Sequence, residues 1–212
     1  ELDRWEVPYE EGGHTEARIL AAGEVVKSPG IPETAPIVQL IRERKIPVIS
    51  EIEFAGRYLG GACTVCVTGS NGKTTTTSLI YKILRDAGMN VALGGNIGES
   101  FAYSVATGDY DWYVLELSSF QLDGMFRFRA HIGVLTNITP DHLDRHKTLE
   151  NYIAIKESIT KNQDGNDFCV LNYNDPVLRE FGKTPRCKVI FFSSSEELES
   201  GVFLRGDTMI IK

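Results

Sequence analysis

CTVCVTGSNGKTT, residues 63–75, predicts a buried strand, a glycine loop and the first turn of a helix. Glycines in such a loop let the backbone approach phosphates, and the free amides at the helix start favour anions. We expect Lys73 to hold terminal phosphates and the Thr74 hydroxyl to coordinate Mg²⁺. The predicted nucleotide-binding residues are Gly69, Ser70, Asn71, Gly72, Lys73, Thr74 and Thr75.

The loop departs from the full GxxxxGK[ST] pattern, because Val67 stands where the first glycine is expected. An ordinary strand–turn–helix with a surface lysine is therefore the alternative. The composition of the helix start favours a phosphate-binding loop over this alternative, since residues 74–77 are four threonines in a row. β-Branched residues lower helix propensity, so such a run has a cost that phosphate binding would explain.

Apolar strands alternate with helices on the carboxyl-terminal side of this loop. We predict strands at 90–93, 111–117, 131–136 and 168–171, helices at 73–87 and 148–161, and a hairpin over 202–211. Near-continuous apolar strands that alternate with helices are typical of a parallel sheet covered on both faces. The predicted fold class is α/β, with a parallel sheet of the phosphate-loop type.

A smaller α/β pattern precedes the loop. The sequence predicts a short strand at 25–26, a turn after it, a helix over 36–44, a strand at 47–50 and a helix over 51–59, whereas residues 1–24 give no clear pattern. We predict that residues 1–60 are the end of an α/β domain, and that a junction at Gly60 and Gly61 separates it from the nucleotide-binding domain over residues 61–212. The sequence begins with Glu1 and not with an initiator Met, so we expect the chain to begin inside a longer protein.

Composition excludes several classes of function. The net charge of −7 argues against non-specific nucleic-acid binding, which needs a basic face. No secretory signal and no apolar run long enough for a membrane span are evident, so no membrane insertion is expected. Cys63 and Cys66 resemble a CxxC pair, but residues three apart on a strand face opposite ways, so we interpret them as core residues. A reducing, cytoplasmic location fits this use of cysteine.

Two further segments carry candidate site residues. Glu116 ends an apolar strand, where α/β sheets bind ligands, and is interpreted as a Mg²⁺ ligand, with a solvent-facing acid as the alternative.

Residues 137–146 contain His142 and His146, four apart, which share a face if the segment is helical. This second segment could be a metal or phosphate site or a solvated helix start, but a zinc protease helix is excluded because Leu143 stands where HExxH has Glu. The glycine loop at 94–98 is only weak evidence for a polar substrate.

Four segments in this order resemble the Mur ligases of peptidoglycan synthesis: GSNGKTT at 69–75, GNIG at 95–98, ELSSFQ at 116–121 and NITPDHLDR at 137–145. The phosphate loop is shared with folylpolyglutamate synthases. The GGNIG and LELSSFQL stretches and the turn SPGI at 28–31 are closer to the branch that adds D-glutamate to UDP-N-acetylmuramoyl-L-alanine.

The resemblance implies a role for each matching residue. Lys73 and Thr74 would act on ATP and a first Mg²⁺ that Glu116 also binds. His142 would bind a second Mg²⁺, together with Lys156 as a carbamylated lysine (N6-carboxylysine). The sequence around Lys156 does not by itself indicate a functional role for this lysine. The implied substrate contacts are Ser28 and Gly30 for the nucleotide and Asn96, Ser118 and Gln121 for the muramoyl group.

The implied activity is ATP-dependent amide formation in two steps. A substrate carboxylate attacks the γ-phosphorus of ATP to give an acyl phosphate and ADP, and the amine of D-glutamate then displaces phosphate. The resemblance also implies that residues 1–60 are the end of a Rossmann-like domain that binds the UDP substrate, that residues 61–212 are an incomplete central ATP-binding domain, and that a carboxyl-terminal ligase domain is missing. We expect no ligation by this chain alone, and we expect a monomer. Two alternatives stay open: another Mur or folylpolyglutamate synthase-type ligase, and a non-catalytic nucleotide-binding module.

Overall fold

The structure is a computed structural model that describes residues 2–212. Its main feature is an eight-stranded sheet in the order β10-β9-β8-β7-β6-β3-β5-β4. The strands of this sheet are β3 Cys63–Thr68, β4 Val91–Gly95, β5 Trp112–Glu116, β6 Ile132–Leu135, β7 Phe168–Asn172, β8 Lys188–Ser193, β9 Val202–Arg205 and β10 Thr208–Ile211. Neighbouring strands are parallel except for the final hairpin, β9 and β10.

A second, two-stranded parallel sheet pairs β1 (Val25–Val26) with β2 (Val48–Ile49). The helices are α1 Glu16–Leu20, α2 Pro36–Glu43, α3 Glu51–Gly56, α4 Lys73–Asp86, α5 Phe101–Thr107, α6 Ser119–Asp123, α7 Leu143–His146, α8 Leu149–Glu157 and α9 Pro176–Phe181. None of the helices formed by residues 2–212 combines the length and apolar character that crossing a bilayer requires.

Side chains alternate across the main sheet, as the period of two in a strand requires. Val65 and Val67 of β3 pack with α4 on one face, whereas Cys66 contributes to a larger apolar cluster on the other. Helices α3, α5, α6, α8 and α9 all contribute residues to that larger cluster. The α/β class and the helical cover on both faces are confirmed.

The predicted elements differ from the structure mainly at their ends. The helix predicted over 51–59 ends at Gly56, where a β-carbon would lie 2.3 Å from the Phe128 ring. The helix predicted over 148–161 ends at Glu157 and continues as a 3₁₀ turn over Ser158–Thr160. The hydroxyls of Ser158 and Thr160 bond to carbonyls three residues back, and such local bonds compete with the α-helical pattern.

Helix α3 joins the two sheets. The Glu53 carboxylate is buried and accepts hydrogen bonds of 2.9 Å from three consecutive amides, those of residues 126, 127 and 128. The apolar residues Ile52 and Ala55 belong to the same core cluster as Phe128. The segment before the phosphate loop is therefore held in place by charge-assisted hydrogen bonds as well as by apolar contact.

Candidate functional site

The phosphate loop lies at the carboxyl end of β3, between β5 and β6. Gly69 has φ of 143°, and a β-carbon there would lie 2.0 Å from Thr136 Oγ1. Gly72 has φ of 81° and precedes the first turn of α4. Both positions need glycine, so the loop can curl tightly and present its amides, as a phosphate site requires.

Lys73 folds back over this loop. Its Nζ donates hydrogen bonds to Gly69 O at 3.0 Å and to Ser70 O at 2.9 Å. The ammonium therefore lies above the curled backbone, where it can meet the outer phosphates of a nucleotide.

Glu116 faces the loop from the neighbouring strand, as the sequence suggested. Its carboxylate is buried and accepts hydrogen bonds from Thr74 Oγ1 at 2.7 Å and from Asn96 Nδ2 at 2.8 Å. The solvent-facing alternative is wrong, since only 2% of the residue is exposed. A hydroxyl and a carboxylate in contact are oxygen donors of the kind Mg²⁺ prefers, so these residues fit that ion.

The glycine loop after β4 brings Asn96 to Glu116. Gly95 has φ of 93°, and a β-carbon there would lie 2.3 Å from Glu116 O. The backbone N–H of Asn96 donates a hydrogen bond of 2.9 Å to the same carbonyl oxygen of Glu116. Close backbone approach, rather than flexibility, is thus the reason for glycine here.

Lys156 of α8 also contacts the phosphate loop. Its Nζ is buried and donates to Gly69 O at 2.9 Å and to Thr68 Oγ1 at 3.1 Å. Burial, and next the positive charge of Lys73, lowers the pKa of Lys156 to about 7. This amine is therefore close to half neutral at neutral pH, unlike an ordinary surface lysine.

Ser118 and Gln121 form a capping box at the start of α6. Gln121 Oε1 accepts from Ser118 N at 3.0 Å, and Ser118 Oγ accepts from Gln121 N at 3.3 Å. The box fixes both predicted substrate residues next to the Glu116 strand end.

His142 and His146 both pack against the Phe120 ring, with ring centroids 5.4 and 5.7 Å from it, but they differ in burial and in polar contacts. His142 precedes α7 in the left-handed region, with φ of 49°, so the helix starts only after it. Its side chain is half exposed and lies beside Asp141, with Nε2 3.5 Å from Asp141 Oδ2. His146 is buried and its Nε2 lies 2.9 Å from Ser119 Oγ. The two histidines therefore differ in exposure and in polar partners, although both contact one aromatic ring.

Sequence reasoning missed Tyr152, a buried residue under the loop. Ser70 Oγ donates to Thr139 O at 2.9 Å and lies 3.0 Å from Tyr152 Oη. Tyr152 is on α8, one turn before Lys156, and its ring lies 5.4 Å from that of His146. The four-residue spacing of Tyr152 and Lys156 was the available signal, because such residues share a helix face.

The predicted contacts to the substrate nucleotide, Ser28 and Gly30, lie in the exposed turn after β1. Within residues 2–212 no three His, Cys, Asp or Glu side chains converge on a common point.

The four cysteines are free thiols, and burial raises the pKa of Cys66 to about 12, which suits the core role.

The fold and this site define a class of protein, and comparison with known families agrees. Residues 67–206 match the Mur ligase middle domain, and the chain belongs to the Mur ligase family. A UDP-N-acetylmuramoylalanine–D-glutamate ligase of Bacteroides fragilis is 53% identical over 213 residues, covering 99% of this chain and 48% of that protein. The protein of the same name from Porphyromonas gingivalis W83 is 54% identical over 179 residues, covering 84% and 40%. The chain thus spans about half the length of the curated relatives it matches.

Solved structures agree on the fold. The UDP-N-acetylmuramate:L-alanyl-gamma-D-glutamyl-meso-diaminopimelate ligase from Neisseria meningitides superposes with a TM-score of 0.63 at 20% identity, over 95% of this chain and 70% of that one. MurF from Acinetobacter baumannii gives 0.55 at 17% identity, over 72% and 35%. At such identities the likeness concerns the fold alone.

Proposed function

We propose that this chain is the ATP-handling part of a ligase that joins D-glutamate to UDP-N-acetylmuramoyl-L-alanine. One observation carries the proposal: Thr74 and Glu116 are in contact at the start of α4, and both Lys73 and Lys156 bond to the carbonyl of Gly69. The arrangement concentrates two amines and one buried carboxylate around a single phosphate loop. The identity to named D-glutamate ligases supports the choice of substrates.

In the proposed reaction a substrate carboxylate oxygen attacks the γ-phosphorus, and the bond to ADP breaks. The amine of D-glutamate then attacks the acyl carbon, and inorganic phosphate leaves. Lys73 would neutralise charge on the outer phosphates, and the loop amides would hold them in line. Ser118, Gln121 and Asn96 would orient the muramoyl substrate, while Ser28 and Gly30 would contact its nucleotide.

Two Mg²⁺ ions belong to the proposal, and they would supply charge neutralisation around the transferred phosphoryl group. Thr74 and Glu116 would hold the first, and His142 with carbamylated Lys156 the second. Carbamylation needs a neutral amine, and the lowered pKa of Lys156 supplies one at neutral pH. We also retain a division near residue 60 into a UDP-substrate-binding unit and an ATP-binding unit.

The test is a ligation assay on the full-length product of the gene. UDP-N-acetylmuramoyl-L-alanine, D-glutamate and ATP should give the amide, ADP and phosphate. The Lys73→Met variant should lose activity by about 100-fold or more, since phosphate charge is left unneutralised. Lys82→Met is the matched control, because Lys82 lies on the same helix, exposed and paired with Asp86.

Two outcomes separate the alternatives. Turnover with other amino acids but not with D-glutamate would favour another ligase of the family. ATP binding by the full-length product without ligation of any amino acid would favour a non-catalytic nucleotide-binding module. The proposal expects Lys156→Ala to abolish ligation while sparing much of the ATP affinity.

A further inference from the structure

The side chain of His146, at the end of α7, contacts the first turn of α6. The residue is only 6% exposed, and its Nε2 lies 2.9 Å from the Oγ of Ser119, which is also buried. His146 and Ser119 are 27 residues apart in the sequence, so the contact joins two separate helices. Burial lowers the pKa of His146, and the ring is therefore neutral at neutral pH and adds no buried charge to this hydrogen bond.

The Phe120 ring of α6 provides a second contact between the two helices. The His146 ring stacks on it, with centroids 5.7 Å apart and planes inclined by 28°. The His142 ring lies 5.4 Å from the same ring, and the Arg145 guanidinium lies 5.5 Å from its centre. Aromatic and cation–π contacts of this kind depend on orientation, so they favour one placement of α6 against α7.

A strained turn fixes His146 from its backbone side. Lys147 has φ of 70° and ψ of −48°, and Thr148 N donates a 2.9 Å hydrogen bond to His146 O. This is a γ-turn of the rare, strained form. Asn151 Nδ2 donates to the same carbonyl at 3.1 Å. Strained backbone persists where the surrounding contacts enforce it, and the buried contacts of His146 are contacts of that kind.

Helix α6 carries two of the proposed muramoyl contacts. Ser118 precedes its first residue and Gln121 lies in its first turn. The capping box fixes Ser118 and Gln121 relative to each other, but it does not fix α6 relative to α7. The helix has only five residues, so a displacement at Ser119 would move both substrate contacts. The contact between Ser119 and His146 prevents such a displacement.

We propose that His146 is a positioning residue for the muramoyl substrate, which holds Ser119 and Phe120 so that α6 presents Ser118 and Gln121 correctly. The inference rests on the proposed function, since it takes the muramoyl compound as the ligand of α6. It predicts that a residue that does not itself contact the substrate controls the affinity for one substrate and not for the other. The phosphate loop contacts Tyr152 through Ser70, so ATP binding should not depend on the polar group of His146.

The variant His146→Phe tests this role in the full-length product of the gene. Phenylalanine keeps a ring against Phe120 and Tyr152 but removes Nε2. Calorimetry should show that affinity for UDP-N-acetylmuramoyl-L-alanine falls by about five- to tenfold, as expected for one lost hydrogen bond, while affinity for ATP with Mg²⁺ changes by less than about twofold. In the ligation assay KM for the muramoyl substrate should rise by a similar factor, and KM for ATP should stay unchanged.

Two further variants identify the hydrogen bond as the cause. His146→Gln should restore most of the affinity, because a glutamine amide can place a nitrogen or an oxygen near the position of Nε2. Ser119→Ala should reproduce the loss. Combining Ser119→Ala with His146→Phe should add little, since both changes remove the same contact.

His131→Phe is the matched control. His131 also pairs with a hydroxyl on another element, its Nδ1 lying 3.1 Å from Thr64 Oγ1, but at the amino ends of β3 and β6, away from the phosphate loop. It should lower the melting temperature without changing either affinity.

The outcomes separate this inference from the proposed function. Unchanged muramoyl affinity in His146→Phe, or an equal loss in His131→Phe, would overturn the positioning role even if the full-length product ligates D-glutamate. Muramoyl binding that depends on His146 in a product that does not ligate would support the positioning role and count against the proposed function. No muramoyl binding by the unmodified protein would overturn both.

Discussion

Thr74 Oγ1 donates a 2.7 Å hydrogen bond to Glu116 Oε2, across 42 residues of sequence. Thr74 is in the first turn of α4, and Glu116 ends the strand beside β3. Glu116 is buried, so a carboxylate here is costly unless hydrogen bonds or a cation compensate it. In the described contacts Thr74 and Asn96 supply that compensation, and a bound Mg²⁺ would strengthen it.

Glu116→Gln should remove the Mg²⁺-dependent part of ATP binding. The amide keeps the size and one oxygen but loses the charge that a divalent ion needs. Calorimetry should show that Mg²⁺ tightens ATP binding in the unmodified protein by at least about tenfold, or 1.4 kcal/mol, and much less in the variant. Glu99→Gln, an exposed acid near the same site, should behave like the unmodified protein. Equal Mg²⁺ enhancement in Glu116→Gln would contradict the metal assignment.

Lys156 should make stability depend on pH between about 7 and 10.5. The pKa of Lys156 is about 7 in the folded state, well below the ordinary value of 10.5 for lysine, so in this window the unfolded chain binds a proton that the folded protein does not. Stability should therefore rise with pH across the window, by an amount on the order of a few kcal/mol, and level off below pH 7 where both states are protonated.

Urea unfolding at a series of pH values measures this effect. Lys156→Met should be more stable than the unmodified protein near pH 7, and its stability should rise less toward pH 10. Lys161→Met removes an exposed lysine just beyond the same helix and should keep the original slope. Identical slopes in Lys156→Met and the unmodified protein would mean that the amine is not titrating in this way.

Tyr152→Phe should weaken the phosphate loop slightly. It removes the hydroxyl that lies 3.0 Å from Ser70 Oγ, but Ser70 keeps its two bonds to Thr139. We expect the free energy of unfolding to fall by about 1 kcal/mol, and ATP affinity to fall by about two- to threefold. Tyr103→Phe, an exposed tyrosine on α5, should change neither quantity. A loss of ATP affinity in both variants alike would show that the contact with Ser70 is not the cause.

Gly95→Ala should destabilise the fold and displace Glu116. The residue has φ of 93°, and the new β-carbon would overlap the carbonyl of Glu116 at 2.3 Å. Strain of this kind costs about 1–3 kcal/mol, and the overlap adds to it. Gly61→Ala is the control, since no atom lies within 4 Å of its added carbon. Denaturant unfolding should separate the two variants, and equal stabilities would refute the close approach.

The phosphate loop could be predicted from sequence because its features are local. Strand, glycines, lysine and helix lie within thirteen consecutive residues, and backbone geometry alone demands the glycines at 69 and 72. Glu116 could also be predicted as a candidate, because an acid at the end of an apolar strand lies where α/β sheets bind ligands. The ends of helices were less predictable, as at residue 157, because hydroxyl groups compete for backbone carbonyls there.

Lys156 could not be selected from local sequence. Its hydrogen-bond partners are 87 and 88 residues away. Burial and the charge of Lys73 give this lysine its lowered pKa, and neither can be predicted from a helix pattern. The left-handed conformation of His142 likewise places this residue outside α7, and the histidine spacing of four does not reveal that break.

A crystal structure of the chain with a non-hydrolysable ATP analogue and Mn²⁺ tests the central claim most directly. Anomalous scattering should place an Mn²⁺ ion at about 2.2 Å from Thr74 Oγ1, with Glu116 as a second protein ligand and the γ-phosphate beside Lys73. Phosphates bound away from residues 69–75, or an ion that Glu116 does not contact, would contradict the claim.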